Sequence, residues 1–155
     1  MAFSLLHSRH DEPVIAVPAI GLELRVPLPP GATGGSVTAI ETTNAPGFGP
    51  PLHRHREAEV FRILEGRYLF EVDGTRFTAV AGDVVSVPGG AAHAFVNITE
   101  APARQFILIL PGLDAIAFFT GLGAAMRDGR PSPAALAAFG QRWGVEFLGP
   151  PLRER

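Results

Sequence analysis

Cysteine is missing from this chain of 155 residues, which removes disulfides, thiolate metal ligands, iron–sulfur clusters and a cysteine nucleophile from consideration. Lysine is missing too. Every basic side chain is therefore arginine, and neither a Schiff-base lysine nor a Walker-type phosphate lysine is available. Charge is scarce, with 18% of residues ionisable as Asp, Glu, Lys or Arg against roughly 25% in an ordinary soluble chain. A formal net charge of −2 gives no basic field to neutralise phosphates, so neither nucleic acid nor an anionic membrane surface is expected as a partner. Long hydrophobic runs are absent as well. The stretch Phe106–Leu110 falls far short of the roughly 18 apolar residues that span a bilayer. The first residues carry no basic leader ahead of an apolar stretch, and the expected location is cytoplasmic.

What the chain has in quantity is glycine, 18 residues, and proline, 15, with 46% hydrophobic residues to build a core. Frequent tight turns suit short strands better than a helical bundle, so an all-β class is expected. The length fits a single domain over 1–155. Residues 1–35 read as a Pro/Gly-rich N-terminal arm holding one strand, Leu22–Leu28. Residues 36–110 form the core region, with short β-rich runs at Ser36–Thr43, Ala58–Leu64, Arg67–Val72, Thr75–Val80, Asp83–Val87, Ala94–Ile98 and Arg104–Leu110. That rhythm predicts a sandwich or barrel. Glu65-Gly66 and Asp73-Gly74 read as hairpin turns. Residues 111–155 read as a helical tail, with one helix within Leu113–Met126 and a second from the Ser132-Pro133 start signal to about Trp143, before Gly144.

The chemistry concentrates in two stretches. In Gly47-Phe-Gly-Pro-Pro-Leu-His53-Arg-His55-Arg-Glu-Ala-Glu59, the two histidines are two residues apart, so on a strand both imidazoles project to the same side. Glu59 shares their parity, and a modest bend lets its carboxylate reach the same point as a metal ligand. The second stretch, Gly82-Asp-Val-Val-Ser-Val-Pro88-Gly-Gly90-Ala-Ala-His93-Ala-Phe-Val-Asn97, supplies a fourth candidate, His93. Arg54 and Arg56 alternate with the histidines and are expected on the opposite, solvated or intersubunit face. Gln105 faces the interior in one strand register and the exterior in the other, and the sequence is compatible with both.

These stretches resemble the paired motifs of the cupin superfamily, G-x5-H-x-H-x3-E-x6-G and G-x5-P-x-G-x2-H-x3-N. Every fixed position is filled, by Gly47, His53, His55, Glu59 and Gly66 and by Gly82, Pro88, Gly90, His93 and Asn97. The end of the chain, from Trp143 to Leu152, looks like that of small bacterial single-domain cupins described as quercetin-dioxygenase-like. The resemblance implies a double-stranded β-helix, the jelly-roll cupin barrel, with a short C-terminal helical segment. It also implies one divalent transition metal ion held by His53, His55, Glu59 and His93. A nitrogen and oxygen donor set without sulfur suits Fe, Mn, Ni, Cu, Co or Zn. Asn97 is expected to bond local backbone rather than the metal.

Aromatic residues such as Tyr68, Phe70, Phe118, Phe119 and Trp143 are assigned to ordinary packing. Phe61 and Phe95 share parity with Glu59 and His93 and are expected to line a substrate pocket beside the ion. The expected function is a dioxygenase-like oxidoreductase acting on a small apolar or aromatic oxygenated substrate. By resemblance to flavonol-cleaving cupins, Glu59 serves there as catalytic base as well as ligand. The alternatives are a non-catalytic metal-dependent module that binds or senses a small ligand, and an oxygen-independent isomerase or lyase. The expected protein partner is a second copy of the chain, a homodimer formed by an edge-pairing arm.

Overall fold

The computed structural model describes residues 2–154. Eleven strands, named in chain order, divide between two antiparallel sheets. β1 (Ile15–Val17), β2 (Leu22–Leu28), β3 (Thr38–Asn44), β10 (Ala103–Leu110), β5 (Ala58–Glu65) and β8 (Val84–Val87) lie side by side in that order in the first. The second runs β11 (Val145–Pro151), β4 (Pro51–His55), β9 (His93–Asn97), β6 (Arg67–Val72) and β7 (Thr75–Val80). Two helices, α1 (Ala115–Ala125) and α2 (Pro133–Trp143), stand between β10 and β11. The all-β jelly roll with a short helical segment is the architecture observed. Among the described residues no helix is long and apolar enough to cross a membrane.

Alternation builds the barrel interior. Along β10, Ala103, Gln105, Ile107 and Ile109 are buried while the residues between them are less so, which settles Gln105 as an inward residue. Across the first sheet, cross-strand neighbours fall into rows: Glu59–Ile109–Thr38, then Phe61–Ile107–Ile40, then Ile63–Gln105–Thr42. Phe61, Tyr68, Phe70 and Phe95 meet edge-on or tilted with centroids 5.3–6.3 Å apart, filling the space between the sheets.

Three features depart from the expectations, while the Asp73-Gly74 hairpin follows them. Asp73-Gly74 is a tight hairpin turn, with both residues at positive φ (47° and 83°) between paired β6 and β7. Glu65-Gly66 is a corner instead, because β5 and β6 belong to different sheets. Gly66 sits there at φ 89°, and a Cβ on it would come within 2.6 Å of the Ala103 Cβ. The arm is shorter than 1–35: β1 and β2 are integral to the first sheet, and β2 pairs with β3 of its own chain. The register of that pair slips between Arg25 and Leu28, where Pro27 has no N–H to give. The tail is not helical throughout, since β11 returns as a strand beside β4, with Val145 opposite His55 and Phe147 opposite His53.

Both helices have chemical start signals. Asp114 and Ser132 accept the backbone N–H groups of Ala117 and Ala135 at 3.1 and 3.2 Å. Pro133 opens α2, and Gly144 ends it in the left-handed conformation at φ 71°.

Candidate metal centre

Strand pairing brings the four candidate ligands together. His53 and His55 sit on β4 with the same parity, His93 lies directly opposite His53 on β9, and Glu59, at the start of β5, faces them from the other sheet. The imidazole centroids stand 4.3 Å (His53–His93), 5.0 Å (His55–His93) and 5.4 Å (His53–His55) apart. One ligand atom from each of His53, His55, Glu59 and His93 lies within 4.8 Å of all the others. Glu59 Oε2 is 2.8 Å from His93 Nε2 and 3.2 Å from His55 Nε2. Bonds of about 2.1 Å at right angles about one ion would separate neighbouring donors by about 3 Å, so these spacings fit a shared cation.

Each histidine is oriented by its own backbone. His53 Nδ1 lies 2.7 Å from the Pro51 carbonyl, His55 Nδ1 3.0 Å from that of Glu57, and His93 Nδ1 2.9 Å from that of Ala91. A carbonyl only accepts, so Nδ1 donates in all of these bonds, and Nε2 of the neutral ring keeps its lone pair for the centre of the group. This is the outer-shell arrangement that fixes ligand histidines in metal sites. The residues present fit a divalent transition metal ion.

The electrostatics agree. Burial pulls the His53 pKa down to about 4, and the neighbouring His93 pulls the same way, so His53 is neutral near pH 7 as a ligand must be. Burial pushes the Glu59 carboxyl up, but hydrogen bonds from His55 and His93 outweigh it and hold the group below the ordinary carboxylate range. Burial disfavours the charged His55 ring, and its hydrogen bond and attraction to Glu59 overcome that and raise its pKa. Without a metal, His55 and Glu59 each favour the charged form of the other; a bound cation would take over that countercharge.

Asn97 stays outside the group of ligands. Its amide donates to the carbonyls of Asn44 (3.0 Å) and Ala101 (2.8 Å) and accepts from the Thr99 N–H (2.8 Å) and hydroxyl (2.6 Å), tying β9 to two loops. Arg54 points outward to Glu146, 2.7 Å away, and Arg56 is 80% exposed.

A cavity of about 130 Å³ opens directly beside His53, His55 and Glu59. Phe95 lines it. Phe61 does not: it is fully buried behind Phe95, centroids 5.6 Å apart, one row deeper than Glu59. Parity correctly gives the face of a strand but not the depth along it. Phe118, Phe119 and Trp143, which the sequence assigns to packing, line the cavity together with Met126 and Phe147. Only the helical spacing of α1 and the Val145-Glu-Phe147 alternation hinted at this roof. The sole carboxylates in the lining are Glu57 and Glu59, and among the described lining residues there is no arginine.

A family model described as Cupin domain matches residues 41–109, the segment that carries all four ligand candidates. Quercetin 2,3-dioxygenase of Bacillus subtilis is 28% identical over 65 residues, 41% of this chain and 19% of that protein. A second curated relative, an uncharacterised protein of Methanocaldococcus jannaschii, is 35% identical over 54 residues, 34% of this chain and 43% of that protein. The chain therefore spans less than half the length of these curated relatives. A solved RmlC-like cupin from Shewanella frigidimarina superposes with a TM-score of 0.60 over 75% of this chain and 96% of the other, at 20% identity. A predicted oxalate decarboxylase from Thermotoga maritima superposes with a TM-score of 0.56 over 58% of this chain and 80% of the other, at 25% identity.

Proposed function

This chain belongs to the cupin superfamily through residues 41–109, and on that ground we propose that it is a metal-dependent, dioxygenase-like oxidoreductase acting on a small, uncharged, oxygen-bearing apolar or aromatic substrate. The observation that carries the reading is the composition of the cavity. Apart from Thr42, Asn44 and the His/Glu end its wall is aliphatic and aromatic, and it offers no arginine to meet a carboxylate or a phosphate. The absence of lysine from the chain closes the remaining route to a cationic side chain. Apart from the ion itself, nothing in the lining would balance the charge of an anionic acid or a sugar phosphate, and Glu57 and Glu59 already offset part of the ion's charge. A phenol or an enediol avoids that cost.

His53, His55, Glu59 and His93 would hold the ion. A divalent ion bound there supplies Lewis acidity, lowering the pKa of a substrate hydroxyl that reaches it. The chain's own groups do the rest. Glu59 is the carboxylate nearest that hydroxyl and accepts its proton, as the only acidic member of the group. Phe95 and the roof aromatics hold the hydrocarbon body and exclude water.

The test is oxygen consumption by metal-loaded protein presented with phenolic and enediol compounds. Uptake with product formation is expected, and Glu59→Gln should slow turnover far more than it weakens metal binding. Product formed without oxygen would replace this reading with isomerase or lyase chemistry. A shift in melting temperature with no oxygen consumed would replace it with a binding or sensing role. Equal losses of turnover and metal affinity in Glu59→Gln would reduce Glu59 to a ligand.

A further inference from the structure

The motif strands place the ion end of the cavity, but they do not set its size. That is done by α1, α2 and β11, which lie outside the motifs. Phe118, Leu122 and Met126 project from one side of α1 and its end, spaced four residues apart, onto the cavity. Phe147 of β11 enters beside His53, centroids 6.4 Å apart. Trp143 lines a further side, edge-on to Phe118 at 5.4 Å. The opposite wall is Ile40, Ile107 and Ile109, held in the rows of the first sheet.

These walls leave about 130 Å³. A cavity of roughly 150 Å³ lined by aliphatic and aromatic side chains holds one benzene molecule. Sites for drug-sized ligands are larger, about 300–1,000 Å³. Packed side chains do not yield cheaply: the α1 residues bear on a tight cluster in which Phe118 meets Phe119 at 4.9 Å and Phe139 at 5.5 Å.

We infer that the substrate is no larger than a single six-membered ring bearing oxygen substituents at one end, and that Leu122 and Met126 are the residues that exclude multi-ring compounds such as flavonols. This deepens the proposed function and rests on it for the ion end alone. The size limit stands on the cavity itself. It also separates this chain from the substrate in the name of its Bacillus subtilis relative, a three-ring flavonol.

Two arms of one experiment keep the claims apart. In metal-free protein, thermal melts are recorded with benzene and with biphenyl, which probe the apolar space without any ion. In cobalt-loaded protein, catechol and quercetin are titrated while the visible absorption of Co(II) is followed. Benzene should raise the melting temperature where biphenyl does not, and catechol should bind at least about tenfold more tightly than quercetin. Leu122→Ala and Met126→Ala should narrow or reverse that preference, each checked for a cooperative melt. Biphenyl stabilising the metal-free protein as well as benzene does, or quercetin perturbing wild-type cobalt protein as strongly as catechol, would overturn the inference. Failure to take up cobalt, with the hydrocarbon preference intact, would strike the proposed function and leave the size limit standing.

Discussion

Single residues divide into those whose role follows from the motif and those settled only by packing. The candidate ligand group is of the first kind: two-residue spacing on a strand gives His53 and His55 a common face, and the motifs add Glu59 and His93. Its protonation has a measurable consequence. His53 titrates at about 4 in the folded chain against 6.5 ordinarily, so between those values the unfolded chain binds a proton that the folded one refuses. Stability of the metal-free protein should therefore fall as pH drops from about 6.5 to about 4. Glu59, held low, adds loss in the same direction below its ordinary 4.5. His55 has the opposite sign: its raised pKa contributes stability that is full below 6.5 and disappears as pH rises through the folded value. Melting temperatures across pH 4 to 7 should show the acid slope, and His53→Asn should flatten it between 4 and 6.5. An unchanged slope in that variant would contradict the assignment.

Gln105 is of the second kind. Its register was open in the sequence, and the barrel buries it completely beside Thr42, with neither of its amide atoms satisfied and the Thr42 hydroxyl also without a partner. The amide approaches the Tyr68 hydroxyl without completing a bond of normal geometry, and that hydroxyl donates to Asn44 Oδ1 at 2.7 Å. Unpaired buried amides cost about 1–3 kcal/mol, so Gln105→Met should leave the protein as stable or raise it by about 1 kcal/mol in urea unfolding. A loss above about 1 kcal/mol would mean that the amide is satisfied in solution.

At the scale of elements, strands β6 and β7 and helix α2 were legible to the residue because their ends carry turn and cap chemistry: Asp73-Gly74, Ser132-Pro133 and Gly144. Local signals name a turn without saying which sheet follows it, which is why Glu65-Gly66 read as a hairpin and is a corner. β11 was not legible. Its Gly-Pro-Pro end reads as loop, and its strand character comes from lying against β4, a contact about 90 residues away in sequence. The cavity roof escaped for the same reason, since helical spacing gives a face but not what that face covers.

One glycine of the first motif region ties these elements together. A Cβ at Gly49 would lie 1.7 Å from the Phe95 carbonyl oxygen, so the loop before β4 and the strand β9 touch backbone to backbone. Gly49→Ala must push apart the two elements that carry His53, His55 and His93, at a cost of about 3 kcal/mol or more. Gly74→Ala makes a fair comparison: it has φ 83° but open space around it, and should cost only about 1–2 kcal/mol. Denaturant unfolding of both variants checks the order, and equal costs would show that β9 yields to the extra methyl.

For the whole molecule, the barrel brings donors from two sheets onto one point, and the β4–β9 and β5–β10 pairings that do so make up the segment matched by the family. The roof of the cavity is a separate contribution of the chain beyond that segment. The account therefore rests on the first of these: that His53, His55, Glu59 and His93 bind a single cation. Equilibrium dialysis of stripped protein against Fe, Mn, Ni, Co, Cu and Zn in turn, followed by elemental analysis, tests it directly. One ion per chain with at least one of these metals, lost in His93→Ala, is the predicted result; no stoichiometric uptake with any of them would contradict it.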